Sequence, residues 1–196
     1  MTFIDVPSES DAGGDVAAMY ERDRNTLGYV ANYTRAFSPR PALMEAWGTL
    51  NGTIKSTMDP RRYELATLAA ALHLRSSYCS LAHGEKLSYL GSADETVALA
   101  VDRHTADLSD LEVAVMDFAE LVADAADRVT QTDIDHLREF GLTDAEIFDV
   151  AAAAAARCFF SKLIDAMGAN PDPLYAQLPP EMREALTVGR PIGPFG

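Results

Sequence analysis

Helix boundaries are written into this chain more plainly than any other feature. Ser109 with Glu112, and Thr143 with Glu146, have the spacing of capping boxes, in which each side chain bonds the other residue's backbone N–H. Asp59 before Pro60 combines a cap with a proline suited to a first helical turn, and Ser38 before Pro39 repeats the device. Gly91, Gly141 and Gly168 stand where helices would stop, with Pro171 just beyond the last. Between these marks the apolar residues follow helical spacing: Leu65, Leu68, Ala69 and Leu72 in one segment, Leu111, Val115, Phe118, Leu121 and Val122 in another. No Val/Ile/Thr-rich alternating run bounded by turns occurs. The expectation is an all-α protein, a helical bundle.

Residues 15 to 170 form one domain on this reading, with an N-terminal arm over 1 to 14 and a Pro/Gly-rich C-terminal tail over 171 to 196. The tail has room for one short helix after Pro180 and is expected to drape over its own domain or a neighbouring subunit. The longest helix runs through the alanines 151 to 156, whose small side chains suit the centre of a bundle. With 196 residues, one large domain is the better expectation than two small ones.

Composition excludes several functions. A formal net charge of −14 argues against nucleic acid or anionic membrane as a partner. No apolar run reaches the ~20 residues of a transmembrane span. The N-terminal stretch lacks the basic and apolar parts of a signal peptide, so a cytoplasmic location is expected. Two cysteines far apart do not make a disulfide scaffold.

The chemistry concentrates in LRSSYCSLAHGEKL, Leu74 to Leu87. With Ser76 as N-cap, Cys79 falls in the first turn of a helix, where the macrodipole and unpaired N–H groups favour the thiolate over the free thiol, whose pKa is about 8.5. His83 follows at i+4 on the same face, placed to take the thiol proton. Glu64 lies in the preceding helix, which a hairpin at 75 to 77 folds back, so its carboxylate is placed to orient His83. Taken singly, each residue has a plainer role: Cys79 as a small core residue, His83 as a carbonyl partner, Glu64 as a first-turn acid. Together they form a candidate proton relay. Cys158, between alanines and two phenylalanines, reads as core. A cation at Arg157 would favour a nearby thiolate, though an ordinary ion pair is the commoner fate of such a residue. His73 offers a fourth ligand for a metal beside Glu64, Cys79 and His83, but it precedes the hairpin and no second paired motif exists, so no metal and no cofactor are expected. His104 and His136 are expected at the surface.

The glutamate followed by a cysteine and histidine at the start of the next helix resembles the alkylhydroperoxidase D-like, or carboxymuconolactone decarboxylase, superfamily, whose hallmark is Glu and then C-x-x-C-x-x-x-H. Glu64 matches the glutamate, Cys79 the second cysteine and His83 the histidine, and Tyr78 fits as well. Segments such as LGYVANYTRAFSPRPALMEAW and KLIDAMGANPD are similar to the peroxidase-related branch, and the resemblance covers about residues 15 to 172. It implies a helical bundle and a thiol-dependent peroxidase, a peroxiredoxin-type oxidoreductase in which Cys79 attacks a small hydroperoxide.

The chain departs from the hallmark at Ser76, which stands where the resolving cysteine belongs. Ser76 is expected to cap the helix and donate a hydrogen bond to the thiolate, but it cannot form a disulfide, so an external thiol becomes the implied reductant. The competing expectations are a carboxymuconolactone decarboxylase-like lyase acting through His83, with Arg61, Arg62 or Arg75 holding a substrate carboxylate, and a non-catalytic oligomeric relic. A homo-oligomer is implied by the resemblance, with the tail helping to cover the interface. Trp47, Tyr89 and Phe159 are candidate contacts, each with core as the plainer reading.

Overall fold

A computed structural model describes residues 2 to 194. Among these there are ten α-helices, two short 3-10 turns and no strand: α1 Gly14–Leu27, α2 Asn32–Ala36, α3 Pro41–Thr57, α4 Pro60–His73, α5 Ser77–Leu90, α6 Ala93–Asp102, α7 Asp110–Ala125, α8 Gln131–Glu139, α9 Asp144–Ala166 and α10 Pro180–Leu186. No helix among the described residues is long and apolar enough to cross a membrane.

The capping chemistry expected of α7 and α9 is present. Ser109 and Thr143 accept from the backbones of Glu112 and Glu146, whose carboxylates reach back. Asp59 accepts from the Arg62 N–H at 2.9 Å to start α4. A third capping box, Thr130 with Asp133, opens α8.

Two boundaries differ from expectation. Helix α3 starts at Pro41, not behind Ser38. Both prolines suit a first turn, but Phe37 is buried and its N–H still bonds Tyr33, which keeps Ser38 in the turn that ends α2. Gly91 ends α5 without adopting the left-handed conformation, with φ −143°. A Cβ there would lie 2.1 Å from Glu95 Oε2, the movable end of a side chain.

Helix α4 is the centre of the bundle, with every residue from Tyr63 to Ala71 buried. It packs against α5, α7 and α9, and Ala66, Ala69, Ala70 and Ala71 keep the spacing close. The alanine run of α9 is only partly central. Ala153, Ala154 and Ala156 are buried, whereas Ala151, Ala152 and Ala155 line an open apolar groove of about 610 Å³ beside α7 and α8. Trp47 is buried, while Tyr89 and Phe159 are exposed.

The turn from α4 to α5 is tight. Arg75 takes a left-handed conformation, φ 55°, while its N–H bonds Leu72 and the Ser76 N–H bonds Ala71. This is the Schellman closure that glycine usually supplies, made here by an arginine at some local strain.

The tail packs on its own domain. In α10, Met182 and Leu186 are buried, and Ser80 Oγ donates to the Leu186 carbonyl at 2.5 Å. Beyond α10 the Gly189 N–H donates to Ser77 Oγ at 2.7 Å, with the backbone passing so near Arg75 that a Cβ would lie 2.0 Å from its carbonyl oxygen. The tail thus holds down the start of α5. Leu186→Ala is expected to destabilise the whole domain by about 2–5 kcal/mol, as for other buried leucines, measured by urea unfolding, with α5 reporting the same transition as the rest.

Candidate active site

A cleft of about 550 Å³ opens between α3, α5, α9 and the segment around Asp172. Cys79, His83 and Arg157 line it, and each is buried. Glu64 lies behind His83. The α4–α5 hairpin brings these two together: His83 Nδ1 and Glu64 Oε2 are 2.5 Å apart, in hydrogen-bond contact. Thr67 Oγ1 lies 3.3 Å from the same ring nitrogen, and Lys55 Nζ is 3.7 Å from the other Glu64 oxygen.

Burial pushes the His83 imidazolium down, and the nearby Arg157 charge adds to it, so the ring is neutral at neutral pH. Its Nδ1–H then donates to Glu64. Burial opposes ionisation of Glu64, but the His83 hydrogen bond, with the Lys86 and Lys55 charges beyond, outweighs it and holds the carboxyl below its ordinary value. A carboxylate on Nδ1 leaves the acceptor nitrogen of His83 as Nε2, the tautomer a general base needs.

Cys79 sits one turn before His83 on α5, with no direct hydrogen bond between them. Its partner comes from elsewhere: Arg157 Nη1 donates to Cys79 Sγ at 3.5 Å. Arg157 is held beneath the rings of Trp47 and Phe160, at 5.7 and 5.5 Å from their centroids. It makes no ion pair among the described residues, contrary to the commoner expectation. Residue 157 reaches Cys79 from α9, across 78 positions of sequence.

Ser76 is the correction. It occupies the N-cap position of α5, but its hydroxyl does not cap the helix and bonds neither the Cys79 N–H nor the sulfur. Ser76 also closes the Schellman motif of α4 through its N–H, and its ψ is 92°, whereas the caps at Ser92, Ser109 and Thr143 have ψ between 153° and 164°. The side chain is fully buried on the side of Asp165 and the tail.

Solved structures share this arrangement of helices. The alkylhydroperoxidase AhpD core of a peroxidase-related protein from Ralstonia eutropha JMP134 superposes with a TM-score of 0.80 over 89% of this chain and 94% of its own, at 24% identity. A peroxidase-related protein from Silicibacter sp. TM1040 gives 0.80 over 90% and 94%, at 20% identity. A variant of the debrominase Bmp8 in complex with 2,3,4-tribromopyrrole gives 0.71 over 95% and 96%, at 17% identity. The chain has the alkylhydroperoxidase D-like fold. No family model and no curated protein matches the sequence.

Within this fold the remaining candidates separate from the cleft. His73 lies against Glu120 and Asp124 of α7, at 3.4 Å from each. His104 and His136 are exposed. Cys158 is half-buried against the Ala123 carbonyl, and burial pushes its thiol up. Arg61 is bound to Glu95 and Glu112, and Arg62 to Glu146, while Arg75 is exposed, so none lines the cleft.

Sequence reasoning missed the opposite wall. Asp172, buried in the tail, accepts from the Tyr78 hydroxyl, from Tyr29 at 3.1 Å and from the Asn32 N–H at 2.8 Å. Burial raises its carboxyl despite these donors. Nothing in the sequence signals a contact between positions 78 and 172.

The His83–Glu64 pair makes stability depend on pH. Both groups bind protons less readily folded than unfolded, so each contribution is present above the unfolded value, 6.5 for His83 and 4.5 for Glu64, and is lost as pH falls. Wild type is expected to lose stability below pH 6.5 more steeply than His83→Asn, by up to about 1.4 kcal/mol per pH unit for one proton. Urea unfolding between pH 7 and 5 measures it, and equal slopes would refute the assignment.

Proposed function

We propose that the protein is a thiol-dependent peroxidase of the peroxiredoxin type, with Cys79 as the reacting group. The observation that carries this reading is a buried sulfur at the floor of a cleft, within 3.5 Å of an unpaired guanidinium and on the same helix face as a carboxylate-held imidazole. Structural cysteines have no need of such neighbours.

On this reading the Cys79 thiolate attacks one oxygen of a small hydroperoxide and the O–O bond breaks. Sulfur is oxidised to the sulfenic acid, and the peroxide is reduced to an alcohol that takes up a proton. Arg157 pairs with the anionic sulfur. His83 moves the proton through a hydroxyl or water in the cleft, since no direct bond joins it to Cys79, and Glu64 keeps its tautomer and orientation. Ser76 offers no sulfur to resolve the sulfenic acid. An external thiol then condenses with it, releasing water and leaving a mixed disulfide, and a second thiol regenerates Cys79. A homo-oligomer in a reducing, cytoplasmic setting suits this dependence on soluble thiols.

Of the carboxylate holders expected for the lyase reading, Arg61 and Arg62 are committed to glutamates and Arg75 does not line the cleft, where the arginine present is Arg157. A second reading, thiol-driven reductive dehalogenation, draws on the aromatic walls around Cys79 and on the debrominase likeness. Bromide release from a bromopyrrole with excess thiol separates it from peroxide reduction.

Iodoacetamide alkylation tests the thiol itself. Cys79 is expected to react faster than a free peptide thiol, and Arg157→Gln to slow it by about tenfold or more, the loss of one charged contact. Hydroperoxide is expected to add one oxygen to Cys79 by intact mass, with turnover only when external thiol is present. Ser76→Cys, whose side chain would be buried toward Asp165 and away from the cleft, is not expected to replace the external thiol in turnover. A Cys79 that neither alkylates faster than a free thiol nor gains oxygen sinks the proposal.

A further inference from the structure

Arg157 holds a charge that its surroundings do not balance. It is 4% exposed, its Nε has no acceptor, and no carboxylate lies within ion-pair distance among the described residues. Arg61, Arg62 and Arg103 are more exposed, yet each holds one or two carboxylates. Burying a guanidinium is costly unless it is paired. The faces of Trp47 and Phe160 offset part of that cost, and the one contact to Cys79 Sγ, at 3.5 Å from Nη1, leaves Nε without an acceptor.

The other charges on the cleft do not supply the missing partner: Lys86 is a second cation, and Glu85 accepts from Tyr89 and makes no ion pair with Arg157. Asp172 is already engaged by Tyr78, Tyr29 and Asn32 on the far wall. Glu64 is held behind His83. Around the guanidinium the walls are flat and aromatic. Trp47 and Phe160 stack at 4.8 Å between centroids, and Tyr33 packs edge-on against both Phe160 and Tyr78 at 5.6 Å. The space, about 550 Å³, lies within the range of small-molecule sites. Ring-shaped walls favour a planar ring, and a planar guanidinium favours a carboxylate.

We propose that this cleft binds a small aromatic carboxylate, with Arg157 holding the anion and Trp47, Tyr33 and Phe160 enclosing the ring. This goes beyond the proposed function by naming a ligand class for the same cleft; the carboxylate is not itself the oxidant of Cys79. With a net charge of −14 the chain as a whole repels anions, so neither charge nor ring alone accounts for binding.

Trp47 is the only tryptophan, so its fluorescence reports on this cleft in the unmodified protein. Benzoate is the probe, with benzamide as the uncharged ring and acetate as the anion without one; no peroxide or thiol is added. Saturable quenching by benzoate, with benzamide and acetate each weaker by about tenfold or more, supports the proposal. Arg157→Gln is expected to abolish the preference for benzoate over benzamide, and Arg157→Lys to retain part of it at unchanged circular dichroism. Equal binding of benzamide, equal binding of acetate, or no saturable binding of benzoate overturns it, the last assigning Arg157 to the Cys79 thiolate alone. If Arg157→Gln fails to fold, the wild-type contrast and Arg157→Lys still decide. Because only binding is read, this inference can fail while the peroxidase reading stands, and the reverse.

Discussion

The contact between Glu64 and His83 joins the two most buried helices of the bundle through polar groups that neither helix satisfies alone. A buried carboxylate and a buried imidazole are each costly, and the costs are met only when both face each other across the α4–α5 hairpin. That requirement fixes the register of α5 against α4 and therefore the direction in which Cys79 points. The alanines of α4 allow the close approach that a 2.5 Å contact demands. Site and core are therefore one structure here.

Ser76 sits between two helices: its N–H closes the Schellman motif of α4, while its hydroxyl does not cap α5 as those of Ser92, Ser109 and Thr143 cap their helices. The cap is given up, and the tail covers this side of the helix start through Gly189 and Ser77. Cys79 is reached from the other side, through the cleft.

Arg157 gives the sulfur a partner from a helix far away in sequence. The aromatic shelf of Trp47 and Phe160 keeps the guanidinium in place without neutralising it. A carboxylate there would have satisfied the arginine and removed it from the chemistry of the cleft. An unbalanced charge beside a thiol has a cost to stability, and sites that hold such charges are commonly functional ones.

Sequence alone determined what depends on neighbours within a turn or two. Capping boxes at Ser109 and Thr143, the Asp59–Pro60 start, and the i+4 spacing of Cys79 and His83 are local, and the structure has them. Glu64 facing His83 was legible because a short hairpin joins their helices and the resemblance pointed to both. Where two local signals competed, as at Ser38 against Pro41 or at Ser76 between two helices, tertiary packing chose. The alanine run misled for a related reason: small residues permit close packing on every face, and only the arrangement of neighbours decides which face receives it. The pairing of Arg157 with Cys79, and of Asp172 with Tyr78 and Tyr29, spans 78 to 143 positions and has no periodicity to announce it. Those contacts exist because α9 and the tail fold across the hairpin, and only the folded chain contains that information.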